Sequence, residues 1–164
     1  MAITPKQDER HEYRSTLVWT GARDGATTSY QSYSREYEFR SGGKPRLKAS
    51  ADPQFRGDPA LYNPEDLLVM ALSSCHLLSY LAECARGGVH VVAYEDDARG
   101  VMTMRDGKLR FTEVVLRPRV TVAAATHVER ARELHRTAHE DCYVANSVNF
   151  PVRHEPTIIV AEAG

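Results

Sequence analysis

The chain is poor in the features that would settle its class at once. Cysteine is scarce: Cys75, Cys84 and Cys142 are the three present in 164 residues. A sparse, odd set of this kind is not a disulfide framework. Charge of one sign is also missing, because Lys plus Arg is 21, Asp plus Glu is 22, and the formal net charge is −1. That balance supplies neither the basic footprint of a nucleic-acid binder nor a polybasic membrane signal. Long hydrophobic runs are absent, since the longest fully apolar stretch is Leu67 to Leu72. That is far below the ~20 residues that cross a bilayer. The opening residues, Met1-Ala2-Ile3-Thr4-Pro5-Lys6-Gln7-Asp8, hold no apolar secretion core, so a cytoplasmic protein is expected. Neither CxxC nor HExxH occurs. Familiar zinc spacings are therefore missing, although His76 adjoins Cys75 and His139 lies shortly before Cys142. No metal and no cofactor are expected.

What is present is ordinary for a globular protein: 42% hydrophobic and 26% charged residues. A single domain over residues 1–164 is expected, with residues 1–12 as a loose polar arm. Tyr13 to Trp19 is β-rich, Arg23-Asp24-Gly25 supplies a turn, and Tyr30, Tyr33, Tyr37 and Phe39 populate the next strands. Gly42-Gly43 turns the chain into Arg46 to Ala49, and residues 52–62 read as loop. A helix follows. Asn63 can cap it, Pro64 suits its first turn, and Gly87-Gly88 stops it after Arg86. His76, Ser79, Glu83 and Arg86 form one narrow polar stripe on an otherwise apolar cylinder, which predicts a helix buried on most sides. Val89 to Met104 and Leu109 to Ala123 read as a long hairpin about Asp106-Gly107, with Val89, Val91 and Ala93 on one face. Ala124 to Asp141 has Val128, Ala131, Leu134 and Ala138 at helical spacing, and Pro151 to Ala161 reads as a last strand. The order is α+β.

The spacing of the thiols limits which can react together. Cys84 follows Cys75 by nine residues. On one straight helix it points about 180° away and lies roughly 13 Å along the axis. A disulfide needs Cα atoms within about 7 Å, so these two cannot bridge. Cys142 extends the apolar face of the second helix. If the two helices pack together, Cys75 and Cys142 are the intrachain pair able to bond. A buried, inert filler remains an open reading for each thiol.

Two motifs carry a resemblance. Asn63-Pro64-Glu65-Asp66-Leu67-Leu68 with Ala71-Leu72-Ser73-Ser74-Cys75-His76, and His139-Glu140-Asp141-Cys142 with Asn146-Ser147-Val148, resemble the OsmC/Ohr family of osmotically inducible and organic hydroperoxide resistance proteins. The long hairpin and the Cys75-His76 pair look like the OsmC or OsmC-like branch, and Tyr143 stands where the family often has proline. The resemblance implies antiparallel sheets wrapped around a long buried central helix, in an intertwined homodimer with active sites at the interface. It also implies a thiol-dependent peroxidase that reduces organic hydroperoxides and is recycled by an external dithiol of lipoyl or similar type. By position, Cys75 matches the peroxidatic cysteine, Cys142 the resolving cysteine and Glu65 the active-site glutamate. Arg23 resembles the arginine that would stabilise the thiolate, with Arg40, Arg46 or Arg56 as alternatives. Glu65 and Cys75 lie about 15 Å apart along one helix, so Glu65 is expected to reach the Cys75 of a second copy. Phe55, Leu61 and Tyr62 are candidate walls of an apolar substrate pocket. Other readings on the same fold are a non-turnover redox sensor or a small-molecule-binding protein. No nucleic-acid or membrane partner is expected.

Overall fold

The computed structural model describes residues 10–162, apart from the side chains of Arg23 and Asp24. The chain divides into two compact units, Met1–Pro64 and Glu65–Gly164.

The first unit is built on a three-stranded antiparallel sheet in the order β1 (Thr16–Trp19), β2 (Tyr37–Arg40), β3 (Leu47–Ala49). Leu17 pairs with Phe39, and Tyr37 with Ala49. Gly21–Asp24 forms a 3-10 turn. Tyr30 and Tyr33 are not on strands, contrary to their β-forming character. The Arg35 guanidinium lies 4.4 Å and 4.0 Å from the centres of their two rings, and it donates to both of their carbonyls. This cation–π clamp outweighs strand propensity and holds the segment as turns. The loop after β3 is tight. Asp52 accepts a hydrogen bond from the Gln54 N–H at 2.7 Å. Arg56 adopts a left-handed φ of 68°, and a Cβ on Gly57 would stand 1.5 Å from the Ala51 carbonyl oxygen.

The second unit carries α1 (Pro64–Arg86), whose limits are those that Pro64 and Gly87-Gly88 predict. Gly88 takes a φ of +70°, and the Val89 N–H bonds back to the Cys84 carbonyl, a glycine-terminated helix end. The sides of α1 differ from expectation. Its buried residues are Leu72, His76, Tyr80 and Cys84, one row at every fourth position. His76 belongs to that buried row and not to a solvated stripe. Leu78, meanwhile, is 67% exposed. Within one chain, therefore, α1 is buried along one side and not on most sides. By length and composition it is also long and apolar enough to cross a membrane, because Ser73, Ser74, His76 and Ser79 interrupt its apolar runs without lowering its mean hydropathy far.

The long hairpin splits into two sheets. β4 (Val91–Asp96) pairs antiparallel with β7 (Pro118–Val122), and β5 (Arg99–Arg105) with β6 (Lys108–Leu116). The break falls where the Asp96 carboxylate accepts the Arg117 N–H at 2.7 Å and the Ser73 hydroxyl at 2.5 Å, tying the bend to α1. A bulge between Val91 and Ala93 shifts the register, so Ala93 is exposed and Tyr94 turns inward. The final segment is also two strands, β8 (Val152–His154) and β9 (Thr157–Val160). Each joins its sheet in parallel, on β6 and β7 respectively, so the sheets are mixed and not purely antiparallel. α2 (Val128–Glu140) begins later than expected, after a 3-10 turn at Ala125–His127, and buries Ala131, Leu134, His135 and Ala138. Two core clusters result. One gathers Tyr80 and Cys84 with Val120, Val122, Ala131 and Leu134; the other gathers Leu72 with Val114, Leu116 and Val152. His76 lies on α1 between the residues that feed the two.

Candidate active site

Cys75 is half-buried, midway along α1. Cys142 is buried, two residues beyond the last residue of α2. The two thiols are close enough for Cys75 to act on the titration of Cys142, and neither is in a disulfide. The loop around Cys142 is fixed by the two residues that the second motif singles out. The Asn146 N–H donates to the Cys142 carbonyl at 2.9 Å, and the Asn146 side chain donates to the Glu140 carbonyl. Ser147 donates to the Tyr143 carbonyl. Burial pushes the Cys142 thiol up to about 11; contact with Cys75 adds to this, and backbone hydrogen bonds from Ala145 and Val144 partly offset it.

Cys84 is separated from this pair as its spacing requires. It is buried in the cluster of Tyr80 and Leu134, with burial raising its thiol pKa and the Tyr80 hydroxyl partly offsetting that rise. A thiol that is hard to ionise in an apolar setting is a structural one.

Beside the thiol pair stands a feature that sequence reasoning missed. Four imidazoles from three elements converge: His76 from α1, His135 and His139 from α2, and His154 from β8. His76 Nε2 and His135 Nδ1 are hydrogen-bonded at 3.0 Å, and both side chains are fully buried. The His154 ring centre lies 5.5 Å from that of His76 and 5.3 Å from that of His139. Tyr80 stacks on His135 at 3.8 Å and donates to the Ala131 carbonyl. Burial first, and the neighbouring rings second, lower His76 to about 4 and His135 to about 3. His154 is lowered for the same reasons. His76 and His135 are thus neutral at pH 7. The signal lay in the four-residue spacing Leu72, His76, Tyr80, Cys84, which places His76 on the buried row. Among the described residues, no three histidine, cysteine or acidic side chains are arranged to hold a metal ion.

The other predicted residues are placed as follows. Glu65 is in the first turn of α1. The helix runs unbroken to Cys75, so the two remain about 15 Å apart along the axis within one chain. The Arg23 side chain lies outside the described residues. Arg40 and Arg46 both pair with Glu38, at 3.3 Å and 3.8 Å. Leu61 lines a cavity of about 220 Å³ together with Thr20, Glu36, Tyr37, Glu38 and Lys48. That lining is polar, and Phe55 and Tyr62, each near half exposed, are not part of it.

Comparison with known proteins places the family and the fold. Residues 57–157 match the family model for OsmC-like protein. Among solved structures, an OsmC-like protein of unknown function from Vibrio cholerae shares 34% identity at a TM-score of 0.82, covering 90% of this chain and 100% of its own. An organic hydroperoxide resistance protein from Elizabethkingia anophelis, with thiocyanate bound, shares the fold at 15% identity and a TM-score of 0.68, covering 94% and 100%. A putative organic hydroperoxide resistance protein from Vibrio cholerae, with captopril in one of its active sites, does so at 17% and 0.60, covering 94% and 95%. No curated protein matches the sequence. With its two thiol motifs, its mixed α+β architecture and a match over most of its length, the chain belongs to the OsmC-like protein family.

Proposed function

We propose that the protein is a cysteine-based peroxidase that reduces organic hydroperoxides to alcohols. The observation that carries this reading is the proximity of Cys75 to Cys142, two free thiols from separate motifs, the first of which acts on the titration of the second. The Cys75 thiolate attacks the outer oxygen of ROOH. The O–O bond breaks, ROH leaves with a proton, and Cys75 becomes a sulfenic acid. The Cys142 sulfur then attacks the Cys75 sulfur. The S–S bond forms as the S–O bond breaks, and the hydroxyl leaves as water with the proton from Cys142. A dithiol of lipoyl type reduces the disulfide by exchange.

Glu65 and Arg23 take the roles that the resemblance assigns. The guanidinium favours the thiolate and hydrogen-bonds the peroxide, and the carboxylate holds the guanidinium in place. Alone, Glu65 would raise a thiol pKa, so its benefit passes through the arginine. Its distance from Cys75 along an unbroken helix supports delivery from a second copy of the chain. The exposed Met70, Leu78 and Leu81 on α1 support the same dimer. Phe55, Leu61 and Tyr62 remain candidates for the organic side of the substrate.

The test is consumption of tert-butyl hydroperoxide with dihydrolipoamide, compared across Cys75→Ser, Cys142→Ser and Cys84→Ser. Turnover lost in Cys75→Ser and retained in Cys84→Ser is expected. Full activity in Cys75→Ser ends the peroxidase reading. One oxidation per chain without turnover identifies a redox sensor on the same fold.

A further inference from the structure

α1 and α2 meet along an antiparallel seam. At one end a Cβ on Gly87 would stand 3.1 Å from the Leu134 side chain. The Tyr80 hydroxyl then donates to the Ala131 carbonyl, and His76 Nε2 meets His135 Nδ1 at 3.0 Å. The other end holds the two thiols, Cys75 of α1 and Cys142 just beyond α2. The apolar anchorage of α2 is slight. Its buried residues are Ala131, Leu134, His135 and Ala138, so two of its three apolar anchors are single methyl groups. Its ion pairs, Arg130 with Glu133, Arg132 with Glu129 and Arg136 with Glu140, join α2 only to itself. A helix of 13 residues is marginal in water once its packing is lost. An element with few buried apolar contacts is the kind that opens ahead of the whole domain.

The imidazole contact in the middle of this seam works in one charge state. Between neutral rings one N–H donates and one bare nitrogen accepts. With both rings protonated there are four N–H groups and no acceptor, and two of those groups face each other across 3.0 Å. A single added proton places a charge in a fully buried site. The titratable groups that face the pair are His139 of α2, His154 of β8 and Tyr80 of α1, with Tyr94 of β4 packed on the Tyr80 ring. No carboxylate is among them, and a further imidazole that takes a proton adds repulsion.

We propose that the His76–His135 contact is an acid-sensitive clasp on the α1–α2 seam: protonation of its rings releases α2 from α1 ahead of the rest of the chain and carries Cys142 away from Cys75. In the closed seam, burial holds the two rings neutral down to about pH 4 and 3, against 6.5 for the free side chain. Once released they take protons from 6.5 downward. Closure is therefore complete above that value and weakens below it, and the open fraction is expected to rise about 500-fold between pH 7 and pH 5.

The clasp shares with the proposed function the proximity of the two thiols and nothing of their reactivity, so its test is amide hydrogen exchange of the reduced chain. Exchange is read by mass spectrometry at pH 7, 6 and 5 and corrected for the intrinsic effect of pH. Protection in α2 is expected to fall about 500-fold from pH 7 to pH 5. At each pH α2 is expected to exchange faster than Val114, Val115 and Leu116, which are buried in β6. In the double variant His76→Gln/His135→Asn the fall should shrink to less than about tenfold. In Cys75→Ser, where Cys142 has lost its partner thiol, labelling of Cys142 by methyl methanethiosulfonate is measured against a free thiol at the same pH. That ratio should rise by a factor similar to the loss of α2 protection. The wild-type exchange needs no variant to fold. Wild-type α2 protection that does not change with pH, or α2 and β6 amides that exchange at one rate throughout, overturns the clasp. A Cys142 labelling ratio that stays constant with pH overturns its coupling to the thiols. A chain that passes these tests yet consumes no hydroperoxide overturns the peroxidase reading alone.

Discussion

Acid should unfold this protein through two histidines. His76 and His135 are fully buried and held neutral, with pKa values near 4 and 3 against 6.5 for the free side chain. In the unfolded chain both rings bind protons readily below pH 6.5; in the folded chain they do not. The unfolded state therefore takes up more protons as pH falls, and stability is complete above 6.5 and lost below it. Integrating between pH 7 and pH 5, each ring withdraws about 2 kcal/mol, or about 4 kcal/mol for the pair. A domain of this size has about 5–15 kcal/mol in all. The loss precedes most carboxylate titration, which centres near pH 4. The assay is urea unfolding at pH 7, 6 and 5 for the wild type and for the double variant His76→Gln/His135→Asn. The wild-type midpoint should fall steeply across this range, and the double variant should start lower and fall much less. A flat wild-type profile, or parallel slopes in the two proteins, refutes the reasoning.

Other expectations follow from single contacts. Asp96→Ala removes the acceptor of both the Arg117 N–H and the Ser73 hydroxyl and should cost about 2–3 kcal/mol in thermal unfolding; a loss below about 0.5 kcal/mol would show that the bend is held elsewhere. Gly57→Ala and Gly107→Ala separate crowding from backbone strain. The added Cβ meets the Ala51 carbonyl at 1.5 Å in the first, and open space at a φ of +75° in the second. Gly107→Ala should cost about 1 kcal/mol and Gly57→Ala clearly more in urea unfolding; the reverse order would contradict the loop geometry. Tyr80→Phe strips the hydrogen bond to the buried Ala131 carbonyl and should lower stability by about 1–3 kcal/mol by the same measurement, with an unchanged midpoint counting against that bond.

Much of this architecture is legible in the residues. Pro64 and Gly87-Gly88 mark α1 because both act through the local backbone, and Asp106-Gly107 marks its hairpin for the same reason, with φ values of 50° and 75°. A Cys75–Cys84 bridge was excluded because nine residues put those two thiols on opposite sides of one helix. What was not legible depends on distant partners. Tyr30 and Tyr33 look like strand residues until Arg35 packs on them. The hairpin looks continuous until Asp96 caps the Arg117 N–H. Ala93 fits an alternating face until a bulge moves it out. His76 was misplaced because residue type was given more weight than position: a polar side chain can lie on a buried row when another imidazole meets it there. The companion ring, His135, comes from a helix 59 positions away, and no local pattern reports that meeting.

The central claim is that two of the three thiols form one redox unit. It is tested most directly by treating the reduced chain with one equivalent of tert-butyl hydroperoxide and mapping the cysteines by mass spectrometry after proteolysis. A Cys75–Cys142 cross-linked peptide, with Cys84 recovered as a free thiol, is the predicted result. A cross-link through Cys84, or three unreacted thiols, would contradict the account.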